Sequence, residues 1–165
     1  MQNPDKGFEL LFSFFSESEQ IEYHSPHELI PQTSIYTCVS ACVRMILADF
    51  DIYFPESYIA SALETSGGAY PSKVPAILNE FGVEVYQWKN DLTIADLSAA
   101  LENGFAIVSL KRENTKFGHS LIADAIINDA IRLRDPLPLG QGKSYAVALE
   151  TFMKVWLRSG VVYVK

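Results

Sequence analysis

The sequence predicts a single domain of the α+β class, in which a helical half is followed by an antiparallel sheet. The first half carries apolar residues at helical spacing, most clearly from Cys38 to Phe50. The second half carries runs of β-forming residues separated by turns. A length of 165 residues with 48% hydrophobic residues is enough for one compact core.

The formal net charge of −7 argues against a nucleic-acid-binding protein, because such proteins carry a basic patch. No cluster of Lys and Arg marks contact with an anionic membrane surface. The apolar segment Phe8 to Phe15 is too short to span a membrane and lacks the features of a signal peptide. We expect this segment to pack on the core as part of an N-terminal extension over residues 1–29. A docking strip for a hydrophobic partner is the alternative.

Three helices are predicted in the first half of the chain. The first runs from Cys38 to Phe50, and Thr37 stands at its N-cap position. The others span Pro55 to Glu64 and Val74 to Phe81, and Gly82 ends the last of them. This assignment puts Cys38 in the first turn of a helix.

The second half contains strands and two more helices. Val83 to Trp88 predicts a strand, and Thr93 begins a helix with the spacing of a capping box. The runs "FAIVSLK", "HSLIADAII" and "AIRLRD" predict strands, and Asn128-Asp129 joins the last two as a hairpin. The stretch "VALETFMKVWL" predicts a helix, and Val161 to Val164 predicts a final strand.

The two cysteines, Cys38 and Cys42, are four residues apart, so a helix places them one turn apart in a poor geometry for a disulfide. Reduced thiols and a cytoplasmic location are therefore expected. The N–H groups at a helix N-terminus lower the pKa of a thiol there and favour the reactive thiolate. Cys38 occupies that position, whereas Cys42 lies on the apolar stripe. Because cysteine is often buried, position alone leaves both a core role and a nucleophilic role open for Cys38.

A nucleophilic cysteine needs a histidine, and the chain has three. His24 and His27 are predicted surface residues without a third ligand for a metal. His119 begins a strand, and the hairpin brings Asp135, at the end of the return strand, to the same end of the sheet. There its carboxylate can accept from the imidazole Nδ1–H, provided that a β-bulge or a longer turn corrects the register. A rim histidine and a turn-starting aspartate are the alternatives.

Gln32 precedes Cys38 by six residues, on the loop that enters the first helix. Its amide can donate, together with the Cys38 backbone N–H, to the oxyanion that forms when a carbonyl is attacked. A surface glutamine with no role is the alternative. No pattern in the sequence predicts a metal or a cofactor.

These motifs resemble the papain-like cysteine peptidases, and in detail the bacteriocin-type, double-glycine leader peptidases and their stand-alone relatives. "QTSIYTCVSACVRMIL" has that family's glutamine six residues before the cysteine and its helix of the form C-x-x-A-C-x-x-M. "GGAYPSKVPAILNEFGVEVY" resembles its glycine-led helix and strand, while "GHSLIADAI" and "IRLRDP" resemble its G-H and D-P strands. "FMKVWLRSGVVYV" resembles its aromatic-rich helix and last strand. The likeness spans Ile30 to Val164.

The resemblance implies a papain-like fold over residues 30–165, with the helical half packed on the sheet. It implies Cys38 as nucleophile, His119 as general base and acid, Asp135 as the residue that orients His119, and Gln32 in the oxyanion hole. The activity it implies is that of a cysteine endopeptidase, which cleaves a peptide or protein substrate through an acyl-enzyme. Within the family this suggests leader-peptide processing after a small P1 residue.

Thr37 and Val39 replace the aspartate and glycine that the family commonly carries around its cysteine, which affects substrate choice more than chemistry. Many relatives are N-terminal domains of ABC transporters. No transporter sequence follows Lys165, so a stand-alone enzyme is expected. Two alternatives stay open: an effector, toxin, transferase or deamidase with the same four groups, and a peptide-binding module without turnover.

Overall fold

Five α-helices flank one antiparallel sheet of seven strands in the computed structural model, which describes residues 11–63, 71–87, 91–115 and 118–164. The helices are α1 (Cys38–Asp49), α2 (Glu56–Ala62), α3 (Val74–Glu80), α4 (Ile94–Leu101) and α5 (Leu149–Met153). The strands are β1 (Gln20–Ile21), β2 (Val85–Gln87), β3 (Gly104–Leu110), β4 (His119–Ile127), β5 (Ala130–Asp135), β6 (Lys143–Ala148) and β7 (Trp156–Val164). Their order across the sheet is β1-β6-β5-β4-β3-β7-β2. The predicted α+β class is confirmed.

Parts of some predicted features lie outside the described residues. They are Phe8 to Leu10 at the start of the apolar N-terminal segment and the glycine pair Gly67-Gly68 before α3. Trp88, at the end of the strand predicted after α3, also lies outside. Within the ranges that the structure describes, every helix is too short or too polar to cross a membrane.

Alternate residues of β3 face two apolar clusters on opposite faces of the sheet. Phe105 and Ile107 pack in one cluster with the buried side chains of α1, α2 and α3. Ala106 and Val108 pack in the other with α4, α5 and the N-terminal residue Phe15. A period of two is what a strand covered on both faces produces. The sheet is therefore the middle layer, and β3 and β4 lie near its centre.

The hairpin between β4 and β5 turns at Asn128 and Asp129, as predicted. Both residues have positive φ angles, 53° and 60°. Those values are typical of the two-residue turn whose twist matches that of paired strands. The turn fixes the register of the strands that carry His119 and Asp135.

A β-bulge at Asp124 sets the relation between the far ends of this hairpin. The pairing shifts by one residue there, so that Ile122 pairs with Arg134 beyond the bulge. In the unshifted register, Asp135 would pair three residues from His119, on the opposite face. With the shift it pairs two residues away, on the same face. The register correction that the sequence required is therefore present as a bulge.

The helix predicted from "VALETFMKVWL" is wrong over most of its length. Strand β6 continues through Ala148, only α5 is helical, and β7 begins at Trp156 rather than at Val161. Val147 pairs with Ile131 of β5, and this sheet pairing overrides the helical spacing of the apolar residues.

His27, which was predicted as a surface residue, is half-buried. Its ring packs edge-on against Phe105, with the ring centroids 4.3 Å apart. His24 is exposed, as predicted. Leu29 and Ile30, which follow His27, also pack against the apolar cluster that contains Phe105.

The N-terminal segment contributes both to the sheet and to the core. Strand β1 pairs with β6, and Phe15 is buried with its ring edge-on to Tyr145 at 6.2 Å. Leu11 and Phe12 are exposed. The division of the chain at residue 30 stays a prediction, as does a docking role for the exposed part of this segment.

A buried ion cluster fastens α1 to the sheet. The guanidinium of Arg134 is fully buried, with Nε 2.8 Å from Asp124 Oδ1 and Nη2 3.0 Å from Asp49 Oδ2. Its Nη1 donates to the carbonyl of Glu28 at 2.8 Å. Because Asp49 ends α1 and Asp124 is the bulge residue, the cluster sets where the helix that begins at Cys38 lies against β4.

The Arg134→Ala substitution would remove the guanidinium that forms ion pairs with two buried carboxylates, Asp49 and Asp124. We expect the free energy of unfolding, measured by urea denaturation, to fall by about 3–5 kcal/mol. The matched control is Arg132→Ala on the same strand. Arg132 is half-buried, and its guanidinium lies 5.1 Å from the centre of the Tyr23 ring. Loss of this cation–π contact should lower the free energy of unfolding by about 1 kcal/mol or less. Equal losses in the two variants would contradict a fastening role for the cluster.

Candidate active site

Cys38 is the first residue of α1, and its side chain is partly exposed. Thr37 is the N-cap, as predicted, but its hydroxyl does not cap the helix. It accepts from the Ser34 N–H and donates to the Ser34 carbonyl, each at 3.1 Å, which closes the turn before the helix. The first N–H groups of α1 therefore remain available to an anion at Cys38. Cys42 lies one turn further on and is fully buried.

His119 and Asp135 form a hydrogen-bonded pair at the start of β4 and the end of β5. The imidazole Nε2 lies 2.7 Å from Asp135 Oδ1. The sequence-based expectation that Nδ1 would bind the carboxylate is therefore wrong, since the nitrogen bonded to Asp135 is Nε2. Nδ1 is left free of the carboxylate, and the imidazole lies near enough to Cys38 for each group to shift the pKa of the other.

Four donors converge on the carboxylate of Asp135, which has no solvent exposure. Oδ1 accepts from His119 and from the Leu137 N–H at 3.0 Å. Oδ2 accepts from the Tyr145 hydroxyl at 2.6 Å and from the Phe14 N–H at 2.8 Å. A buried charge is costly unless it is paired and hydrogen-bonded, and both conditions are met here.

The electrostatics of the site favour a thiolate–imidazolium pair. Burial opposes ionisation of Cys38, but the hydrogen bond and charge of His119, helped by backbone N–H groups, lower the pKa of its thiol. Burial also opposes the imidazolium, but Asp135 and Cys38 outweigh it and raise the pKa of His119 to about 10. Burial, with the nearby thiolate of Cys38, raises the pKa of Cys42 well above its ordinary value. The pKa values of the two thiols therefore shift in opposite directions, and Cys38 is the more easily ionised of the two.

Gln32 lies against the turn that leads into Cys38. Its side chain is buried, and Nε2 donates to the Ser34 carbonyl at 2.9 Å. Its backbone N–H donates to the Pro136 carbonyl at 3.1 Å, and its carbonyl accepts from the Gly140 N–H at 2.9 Å. These bonds fix the Gln32 loop to the segment that follows Asp135. Gln32 is thus an ordered residue at the edge of the site rather than a mobile surface glutamine.

The sequence did not single out two residues that complete the site. Tyr145 lies on a strand that was not predicted, although its period-two neighbours in "KSYAVA" could have indicated one. Phe14 lies in the apolar N-terminal segment, and its N–H reaches a carboxylate 121 residues away. No local pattern could have revealed that contact.

A model of the Peptidase_C39 like family matches residues 21–164 of the chain. The chain belongs to this family. The match supports a cysteine peptidase, and it contains Gln32, Cys38, His119 and Asp135. A search of curated protein sequences gave no match.

Solved structures similar to this C39-like chain share its fold. The peptidase domain of Streptococcus ComA, a bi-functional ABC transporter involved in a quorum sensing pathway, is 16% identical with a TM-score of 0.68; the match covers 84% of this chain and 99% of that one. A double glycine motif protease from an AMS/PCAT transporter, in complex with the leader peptide, is 16% identical with a TM-score of 0.69, covering 88% and 99%. The peptidase domain of Streptococcus mutans ComA is 14% identical with a TM-score of 0.59, covering 84% and 100%. The predicted papain-like peptidase fold is confirmed.

Alkylation by iodoacetamide should report the state of Cys38. In a Cys42→Ala background we expect the midpoint of the Cys38 alkylation rate against pH to lie below that of free cysteine, because His119 outweighs the effect of burial and lowers the pKa of the Cys38 thiol. His119→Ala removes that partner, so the midpoint of the alkylation rate against pH should rise to about 8.5 or above, the pKa of free cysteine. The exposed histidine provides the control, and His24→Ala should leave the midpoint unchanged. A wild-type midpoint equal to that of free cysteine would contradict the assignment.

Proposed function

We propose that this C39-like chain is a cysteine endopeptidase that cleaves a peptide bond through an acyl-enzyme. One observation carries the proposal: the thiol that begins α1 lies within the electrostatic influence of an imidazole whose Nε2 is 2.7 Å from a buried carboxylate. That is the arrangement of a nucleophile, a base and an orienting group. The roles are Cys38 as nucleophile, His119 as base and acid, and Asp135 as the group that holds the imidazole.

The first step is attack of the Cys38 thiolate on the scissile carbonyl carbon. A carbon–sulfur bond forms, and the carbonyl electrons move onto oxygen. The Cys38 backbone N–H at the start of α1 and the amide of Gln32 donate to this oxyanion. The Gln32 amide nitrogen carries two hydrogens, of which the Ser34 carbonyl takes one. Such a donor contributes roughly 3–4 kcal/mol to transition-state stabilisation.

Proton transfer then completes the two halves of the reaction. The His119 imidazolium gives its Nδ1 proton to the leaving amine as the carbon–nitrogen bond breaks, which leaves a thioester on Cys38. The neutral imidazole next takes a proton from water as that water attacks the thioester. The acid is released, and the proton on His119 restores the thiolate–imidazolium pair. Throughout the cycle Asp135 keeps Nε2 engaged and the ring in place.

The substrate we propose is a peptide leader cleaved after a small residue such as glycine. This is supported by the similar double glycine motif protease that was solved with its leader peptide. Cys38 is partly exposed, as attack on a peptide requires, and its thiol forms no disulfide, which fits a reducing, cytoplasmic setting.

A peptide-library cleavage profile tests the activity. Wild-type protein and the control Cys42→Ala should cleave the same peptides, whereas Cys38→Ala should lose turnover with its fold intact, as monitored by circular dichroism. Full cleavage by Cys38→Ala would remove the proposal. Peptide binding without cleavage by wild type would favour a silent binding module instead.

The same assay separates the role of Gln32 from that of a structural residue. For Gln32→Ala we expect kcat to fall on the order of 10²–10³ with little change in KM, as when an oxyanion donor is removed. The matched control Gln141→Ala alters an exposed glutamine beyond β5 and should retain wild-type kcat. A change in KM alone would contradict the oxyanion role.

A further inference from the structure

Phe14 touches both members of the His119–Asp135 pair. Its N–H donates to Asp135 Oδ2 at 2.8 Å. Its ring stacks on the His119 imidazole, with centroids 5.7 Å apart and planes inclined by 9°. Phe14 precedes the part of the chain that matches the family, residues 21–164. A residue outside the family match therefore contacts both members of the pair.

The segment that carries Phe14 is anchored by its own contacts. Arg112, just after β3, donates from Nη2 to the Phe14 carbonyl at 2.8 Å, and its guanidinium lies 4.7 Å from the centre of the Phe14 ring. The same nitrogen lies 3.0 Å from Glu19 Oε1, so Arg112 links both ends of the segment. The Ser13 hydroxyl donates at 3.3 Å to the carbonyl of Leu137, in the loop that follows Asp135.

We propose that Phe14 is a positioning residue and that residues 13–20 form a strap that holds the His119–Asp135 pair in its reactive geometry. The inference rests on the proposed function and deepens it. The backbone N–H fixes the orientation of the carboxylate. The ring lies parallel to the imidazole, so it blocks rotation of that ring out of plane and keeps water from the bond between Nε2 and Oδ1.

The charged and titratable groups around the pair determine what removal of the ring does. His119 faces Cys38 from α1 and Asp135 from β5, and Tyr145 from β6 donates to the carboxylate. Arg112 lies behind Phe14, with its charge balanced by Glu19. Without the ring, water would reach the pair and weaken the attraction between the imidazolium and the carboxylate. The pKa of His119 would then fall, and the pKa of Cys38 would rise because its cationic partner is less stable.

The pH dependence of Cys38 alkylation by iodoacetamide tests this proposal without a known substrate. For Phe14→Ala we expect the midpoint to rise by about one pH unit, which is about a tenfold loss of reactive thiolate at acidic pH. Phe14→Tyr keeps an aromatic ring at this position, so its alkylation midpoint should equal that of the wild type. Leu11→Ala, which alters an exposed residue of the same segment, should leave the midpoint unchanged.

Glu19→Gln removes the ion pair between the strap and Arg112 without altering the Phe14 ring. This second variant keeps the proposal testable if Phe14→Ala fails to fold. It should raise the midpoint by a smaller amount in the same direction. Unchanged midpoints in folded Phe14→Ala and Glu19→Gln, with only the urea midpoint lowered, would reduce Phe14 to a packing residue and overturn the proposal. A wild-type Cys38 that alkylates like free cysteine is a different result, because it would remove the proposed function itself and the strap with it.

Discussion

The buried carboxylate of Asp135 accepts hydrogen bonds from four parts of the chain. They come from β4, from β6, from the loop after β5 and from the N-terminal segment. In an interior without water, each of these donors offsets part of the cost of the charge, and the loss of one leaves an acceptor unsatisfied. The carboxylate therefore fixes several elements in the same place where it fixes the imidazole. Folding and the geometry of the site depend on the same interaction.

A buried ion cluster around Arg134, the residue next to Asp135 on β5, positions the helix that carries Cys38. Arg134 precedes Asp135, and it pairs with the last residue of α1 and with the bulge residue Asp124. The bulge also puts His119 on the same face as Asp135. The bulge at Asp124 thus aligns the imidazole with its carboxylate. The same residue belongs to the ion cluster that holds α1 against the sheet. The bulge and the ion cluster thus act on Asp135 and Arg134, which are adjacent residues of β5.

The sequence was sufficient to predict what local chemistry determines. Capping-box spacing located α4, the Asn-Asp turn located the hairpin, and the position of Cys38 at a helix start was correct. The need for a bulge followed from counting residues, but its location did not, since it depends on the buried partners of Asp124. The nitrogen of His119 that binds Asp135 was predicted wrongly because ring direction is set by tertiary packing. Strand β6 was missed for the same reason, and with it Tyr145.

The central claim, that Asp135 keeps His119 protonated beside Cys38, can be measured directly by 15N NMR of the imidazole against pH. The wild-type ring should stay cationic through neutral pH and titrate near the pKa of about 10 that the ion pair produces. In Asp135→Asn the attraction of the carboxylate is lost while burial and the weaker attraction of Cys38 remain, so the pKa of the ring should fall well below about 10. A wild-type ring that titrates near about 6.5, the ordinary histidine pKa, and is unaffected by Asp135→Asn would contradict the account.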